Sequence, residues 1–280
     1  MVGTTRLQRV GLFYVPLILF ALFILFPFYW MFITSLKHNS ELYNLKAIPF
    51  IVTRPTLDHY VGLITKTDFL AWTWNTMLVA VVSTGLSLVM GIMAGYALAR
   101  LRFPGANIVG ICIGATYLVP GTLLFIPMVQ IVRQFGLYNT LWALIAVYPT
   151  FLVPFCTWLL MGYFKTIPKE LEESAMIDGA SRIRAMLQIA LPLAMPGVLS
   201  SLIFAFTLSW NEFLYALTLI TSSALKTVPV AAPTALIRGD VFFWGQLMAA
   251  ALLGSVPVAL FYSFFVEHYV AGLTSGAVKG

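Results

Sequence analysis

A chain of 280 residues in which 60% are hydrophobic and only 9% are charged cannot be a soluble domain, where about a quarter of residues carry charge. At about 20 apolar residues per crossing, the length leaves room for roughly six or seven membrane helices and excludes a large soluble domain. The net charge of +6 would point to nucleic acid in a soluble protein, but in a membrane chain the basic residues serve to orient the spans, so no nucleic-acid partner follows from it.

Taken in chain order, Arg6 and Arg9 precede an uncharged run over residues 10–33. This run is too long for a signal-peptide core and has no small-residue cleavage site behind it, so it reads as an uncleaved first span. The polar stretch 37–68 mixes charges of both signs and reads as a small ordered loop. A second span over 72–99 stops at Arg100-Leu-Arg102-Phe-Pro104-Gly105, where a Pro-Gly turn ends the helix. Span three covers about 108–132 and contains Pro120 and Pro127; span four covers about 140–164 and contains Pro149 and Pro154. Span five covers about 193–220. An apolar loop over 221–243, which can dip back toward the membrane, leads to span six over 246–266 and a closing tail over 267–280.

Six spans place both termini on one side. The side of the termini holds nine basic residues against seven on the other, a small excess in number. The nine cluster in pairs near span ends at Arg6 and Arg9, Arg100 and Arg102, Lys165 and Lys169, and Arg182 and Arg184, with Lys279 in the tail, while most of the seven are spread through the longer loops. Location points that side to the cytoplasm. The expected fold is an all-α membrane protein forming one transmembrane domain over 1–280. Gly91 with Gly95, and Gly110 with Gly114, sit four apart on one helix face, where backbones can approach closely. The internal prolines remove helix hydrogen bonds and predict kinks.

Cys112 and Cys156 lie inside apolar runs, which argues against a disulfide framework. His38, His59 and His268 have no second ligand at metal-like spacing, so no metal site is implied. No Gly-x-x-x-x-Gly-Lys-Ser/Thr stretch is present, so the chain has no P-loop for a nucleotide, and no catalytic constellation of side chains stands out.

The polar segment 165–192, between spans four and five, is the main interruption of the C-terminal half. Pro168 suits a first helical turn, and Glu170, Glu172 and Glu173 follow in an order that favours the helix dipole. Gly179 predicts a stop or bend, Ser181 can cap a second helix, and Ile183, Met186, Leu187 and Ala190 share one face of it. The outcome is a helix, a bend and a helix at the membrane surface. Ser174 and Ala175 are small enough to enter a groove, and Glu173 and Asp178 can accept hydrogen bonds from a partner's Arg or Lys. An ordinary interfacial loop is the plainer alternative.

The spacing Glu173-Ser174-Ala175, then Gly179, then Ile189-Ala-Leu191-Pro192 resembles the EAA motif of ATP-binding-cassette importer permeases, with Ser174 in place of the second-position alanine. Trp210-Asn-Glu-Phe-Leu-Tyr215 and the C-terminal stretch 272–280 look like features of the second permease subunit of maltose-type carbohydrate importers. The resemblance covers nearly the whole chain. It implies a cytoplasmic coupling helix between helices four and five, formed around Glu173, Ser174, Ala175, Asp178 and Gly179 and docked on an ATPase. It also implies a heterodimer with a related permease subunit, two ATPase subunits that bind ATP and Mg, and an external sugar-binding protein. The setting would be a bacterial inner membrane and the cargo a disaccharide or oligosaccharide such as maltose or trehalose. The tail residues Ser275, Gly276 and Lys279 would reach toward the ATPase.

Glu212 is the one acidic residue placed within a span, and an ionised group at a bilayer centre costs about 2.5–3.5 kcal/mol, so it must face protein or water. Together with Asn211, Trp210 and Tyr215 it is a candidate for the substrate path; a structural hydrogen bond to another helix is the alternative. Two rival functions remain at this point, an ion-coupled secondary transporter and a membrane scaffold without transport.

Overall fold

The structure is a computed structural model that describes residues 10–44, 46 and 48–277, with the side chains of residues 10, 117, 118 and 266–277 outside the description. Arg6 and Arg9 therefore lie outside the described residues. After a π-helical turn at Val10–Tyr14 come helices α1 (Val15–Leu36), α2 (Asn39–Leu42), α3 (Asp58–Lys66), α4 (Phe69–Arg100), α5 (Ala106–Leu118) and α6 (Gly121–Gln134). Next are α7 (Leu141–Val147), α8 (Pro149–Thr166), α9 (Lys169–Ile177), α10 (Arg182–Ala185), a π-helical turn at Met186–Ala190, α11 (Leu191–Leu193) and α12 (Met195–Trp210). The chain ends with α13 (Leu214–Leu219), α14 (Val228–Leu236), a two-stranded hairpin of β1 (Ile237–Arg238) and β2 (Val241–Phe242), and α15 (Trp244–Ala277).

Four helical stretches among the described residues are long and apolar enough to cross a membrane: Gly11–Leu36, Phe69–Arg100, Leu141–Thr166 and Trp244–Phe265. The number rises to six only if two bent pairs each count as one span. The third and fifth spans, read from the sequence as parts of a bundle of kinked spans, are each broken in the structure. Span three breaks after α5, with a 97° turn into α6 at Pro120, whose ring nitrogen cannot donate to the preceding turn. Span five is interrupted at Asn211–Phe213, between α12 and α13, and α12 itself meets the preceding helical stretch at 76°. The apolar loop after it folds into α14 and the β hairpin, and helix α15 runs on through Ala277, taking in most of the stretch read as a tail.

The chain divides into two compact units. The first comprises residues 1–69 and 232–256. Its polar connection is ordered around Lys37, a buried side chain whose ammonium donates to the carbonyls of Ile48 (3.2 Å) and Pro49 (2.7 Å) and lies 3.8 Å from Glu41. Glu41 in turn accepts from the amide and hydroxyl of Thr53. Tyr43 donates its hydroxyl to the carbonyl of Phe242 in the hairpin. By contrast, α1 is apolar on every side, and from Val15 to Phe28 its large side chains are exposed, as suits a surface facing lipid or another membrane chain.

The second unit, residues 70–231 and 257–280, contains the larger core. Close approach of α4 to α8 organises it. A Cβ added at Gly91 would lie 2.5 Å from that of Cys156, and one at Gly95 would lie 3.0–3.1 Å from the backbone of Thr157 and Met161. The glycine pair read from the sequence therefore marks a backbone-to-backbone contact, with Leu152, Leu160 and Phe164 of α8 fully buried around it. Overpacking a filled core costs about 1–3 kcal/mol. Gly91→Ala is expected to insert normally but to melt several degrees lower in detergent, measured by size-exclusion after heating. An unchanged melting profile would show that α4 and α8 do not meet closely here.

The N-terminal end of α4 is also tied down. The Trp72 indole donates to the carbonyl of Ser223 (2.8 Å), the Asn75 amide donates to those of Ala224 (2.8 Å) and Lys226 (3.1 Å), and the Thr76 hydroxyl accepts from the amide of Val228 (2.9 Å). From another side, Asn139, which adopts a left-handed φ of 60°, accepts from the amides of Thr221 and Ser222 and donates to the Ser222 hydroxyl. The segment following α13 is thereby fixed backbone atom by backbone atom.

Candidate functional site

The segment 165–192 folds as helix, bend and helix. Ile167 and Pro168 are extended and separate α8 from α9, because proline cannot supply the amide that would continue the first helix and the residue before it is pushed out of the helical region. Glu170 and Glu172 occupy the first turn of α9, where carboxylates complement the helix dipole. Termination is fully specified. Gly179 has φ +92°, the amide of Ala180 donates to the carbonyl of Ala175 (2.9 Å), and that of Gly179 donates to Met176 (3.1 Å). This is a Schellman motif, which takes glycine at the left-handed position because a Cβ is disfavoured there. Ser181 then caps α10 by accepting from the amide of Arg184.

The five residues singled out in this segment come together as one exposed corner. Glu173, Ser174, Asp178 and Gly179 are exposed and Ala175 is half-buried. Ile177 joins them, 86% exposed, and was not singled out from the sequence. Helical spacing could have found it, since it lies four residues beyond Glu173 on the same face. A large aliphatic side chain this exposed, beside two carboxylates and a serine, makes a corner suited to a partner's groove. On the second helix the expected apolar face is only partly used: Ala190 is buried and Met186 half-buried, whereas Ile183 and Leu187 are exposed.

The corner is held in place by a contact that no local sequence pattern marks. Glu172 turns the other way and is only 4% exposed. One carboxylate oxygen accepts from Arg100 Nε (2.6 Å) and the other from the Tyr96 hydroxyl (2.6 Å), both from the end of α4. Arg100 Nη2 also donates to the carbonyl of Ile167 (2.8 Å), at the extended link between α8 and α9. The sequence marks Arg100 and Arg102 alike as topology charges; Arg102 is exposed, but the Arg100 side chain is buried in this cluster. A buried pair of this kind is a weak source of net stability, yet removing one partner costs about 3–5 kcal/mol, because the other charge is left uncompensated.

The second group of predicted residues surrounds the break in span five. Trp210 is buried against Phe206, with ring centroids 5.6 Å apart, and Tyr215 is buried, stacked on Phe151 and donating to the carbonyl of Gly121 (3.4 Å). Asn211 is exposed, with its amide donating to the carbonyl of Thr207 (2.9 Å). Glu212 accepts three hydrogen bonds, from the Tyr148 hydroxyl (2.9 Å) and the amides of Tyr215 (2.8 Å) and Ala216 (3.0 Å). Its carboxylate thus closes the free amides at the start of α13 and links that helix to the residue between α7 and α8. The alternative of a structural hydrogen bond accounts for these contacts. Of the tail residues, the side chain of Ser275 and the whole of Lys279 lie outside the described residues, and Gly276 is a backbone position of α15.

Both groups fall within residues 87–275, which match the family model described as "Binding-protein-dependent transport system inner membrane component". The chain is 37% identical over 276 residues, 98% of each protein, to the inner membrane ABC transporter permease protein YcjP of Escherichia coli (strain K12). It is 37% identical over 262 residues, 91% of this chain and 93% of the relative, to the trehalose transport system permease protein SugB of Mycobacterium tuberculosis (strain CDC 1551 / Oshkosh). Among solved structures, a chain of a bacterial ABC transporter involved in the import of the acidic polysaccharide alginate has a TM-score of 0.81 at 19% identity, covering 96% of this chain and 100% of that one. At that identity the likeness speaks for the fold.

Proposed function

The chain belongs to the family of binding-protein-dependent transport system inner membrane components, and from that premise we propose that it is one permease half of an ATP-driven sugar importer. Membership makes it a membrane-embedded transport subunit and not an enzyme, and gives no support to an ion-coupled transporter or an inert scaffold. ATP with Mg would be bound by two ATPase subunits. A second permease subunit would complete the pathway, and an external sugar-binding protein would deliver the cargo.

The observation that carries the reading is the corner of α9. Glu173, Ser174, Ile177 and Asp178 stand exposed on a helix whose opposite side is fixed by a buried charge pair. A partner pushing on such a corner moves a body and not a loose loop. This supports the 165–192 segment as the cytoplasmic coupling loop, and with it six spans with both termini in the cytoplasm of a bacterial cell. Displacement of α9 would tilt the attached spans between inward-open and outward-open states. Ser275, Gly276 and Lys279 would lie near the ATPase interface.

For cargo, the trehalose system of one relative favours a carbohydrate, and we assign a disaccharide or oligosaccharide, trehalose or maltose first. Asn211 is the side chain at the break in span five that is open to a sugar hydroxyl. Glu212 would shape that break, and Trp210 and Tyr215 would back it from within the core.

The deciding experiment is purification of the tagged chain from its own membranes in mild detergent. An ATPase subunit and a second permease are expected to accompany it, and proteoliposomes of the complex are expected to take up radiolabelled trehalose or maltose when ATP and the external binding protein are supplied. Recovery of the chain alone, or uptake that follows an ion gradient without ATP, would refute the assignment. Titrating the cognate binding protein with a panel of sugars identifies the cargo.

A further inference from the structure

We infer that α4 is the transmission rod of this subunit, joined to the coupling helix at one end by the Tyr96–Arg100–Glu172 cluster and to the segment 223–228 at the other by Trp72, Asn75 and Thr76. The inference rests on the coupling role proposed for α9. Three observations lead to it. First, the direct covalent route from α9 into the bundle is soft, since Ile167 and Pro168 lie outside the helical region and the hydrogen-bond ladder of α8 does not run on through them into α9. Arg100 bridges that link, one nitrogen on the Ile167 carbonyl and another on the Glu172 carboxylate, so α9 is attached to α4 more firmly than to the helix that precedes it.

Second, α4 is built to stay straight. Its 32 residues contain no proline, and at 1.5 Å per residue they extend ~48 Å. Elsewhere in the second unit, α6 and α8 each carry an internal proline, and the runs from α5 to α6 and from α12 to α13 are broken. Glycines 91 and 95 bring α4 against the α8 backbone. Third, the far end of α4 is bonded to backbone groups of the segment that follows α13, beyond the break at Glu212. A displacement imposed on α9 would therefore reach that segment as a rigid-body motion of α4 instead of dissipating at the Pro168 link.

The test uses the full complex with its ATPases, reconstituted with the binding protein and radiolabelled trehalose, in a background carrying Cys112→Ala and Cys156→Ala. Spin labels at Glu170→Cys on α9 and Met93→Cys on α4, both exposed positions, report their separation in nucleotide-free and vanadate-trapped states. One narrow distance, the same in both states, is expected. Glu172→Gln should broaden it and raise the ATP hydrolysed per trehalose imported by ~10-fold, the size of a typical coupling term. Tyr96→Phe, which keeps the ring and removes one hydrogen bond, should do so partially. Asn75→Ala should raise the same ratio with the label distance still narrow.

A distance that changes between states in the parent complex overturns the joint, as does an unchanged ratio in Glu172→Gln. An unchanged ratio in Asn75→Ala overturns the far end of the rod. If the parent complex shows no ATP-dependent uptake at all, the importer assignment fails instead, a result separable from each of these.

Discussion

Gly179→Asp is expected to abolish uptake while the chain still inserts, folds and accumulates in the membrane. The glycine has φ +92°, and a side chain forced into left-handed backbone costs about 1–2 kcal/mol, too little to unfold a domain by itself. No atom lies within 4 Å of a Cβ built there, so steric clash adds nothing. The damage should fall on docking. A third carboxylate would join Glu173 and Asp178 at the exposed corner, and the Schellman turn that sets the angle between α9 and α10 would be strained. Membrane abundance by immunoblot, ATPase co-purification and trehalose uptake separate the effects. Normal uptake with normal co-purification would sink the docking role of this corner, and loss of the protein from the membrane would make the bend a folding element. Gly179→Asn, which tolerates left-handed backbone better and adds no charge, should retain part of the activity.

Glu212→Ala is expected to act on the fold of the bundle more than on the affinity for sugar. Three donors end on this carboxylate, and one of them, the Tyr148 hydroxyl, belongs to a fully buried residue. An orphaned buried donor costs about 1–3 kcal/mol, so the variant should lose a large share of the stability of α13 and its junction with α8. A lower melting temperature and poor recovery of the assembled complex are expected in size-exclusion profiles. Glu212→Gln should recover part of this, because its carbonyl oxygen can still accept. Asn211→Ala is expected to behave in the opposite way, with normal assembly and a raised KM for uptake. A Glu212→Ala complex that assembles normally and shows only an altered KM would restore Glu212 to the substrate path.

The helical membrane class, the bend at Gly179, the cap at Ser181 and the close contact at Gly91 and Gly95 were legible because each depends on residues within a turn or two of one another. The breaks were harder. In an apolar run, hydrophobicity says that a segment is buried in lipid, but it is silent on whether the helix continues. Pro120 could have meant a kink and instead marks a 97° turn. At Asn211 the helix stops where an acid can cap the next one, a choice made by Tyr148, 64 residues upstream. Glu172 looked like one of three first-turn acids. The approach of Tyr96 and Arg100, 76 and 72 residues away in sequence, separates it from Glu173, and no local pattern encodes those distances.

The staples at the N-terminal end of α4 also bear on how the chain is made. Trp72 and Asn75 emerge early from the ribosome, yet the carbonyls that satisfy them belong to residues 149–151 positions further on. A nascent chain that ends before Ser223 holds an amide and an indole at the head of an apolar helix with neither of those acceptors. Contacts of such long sequence separation form late. This end of α4 is therefore completed only after Lys226 has been synthesised, and until then the helix has the character of an unfinished client for the insertion machinery.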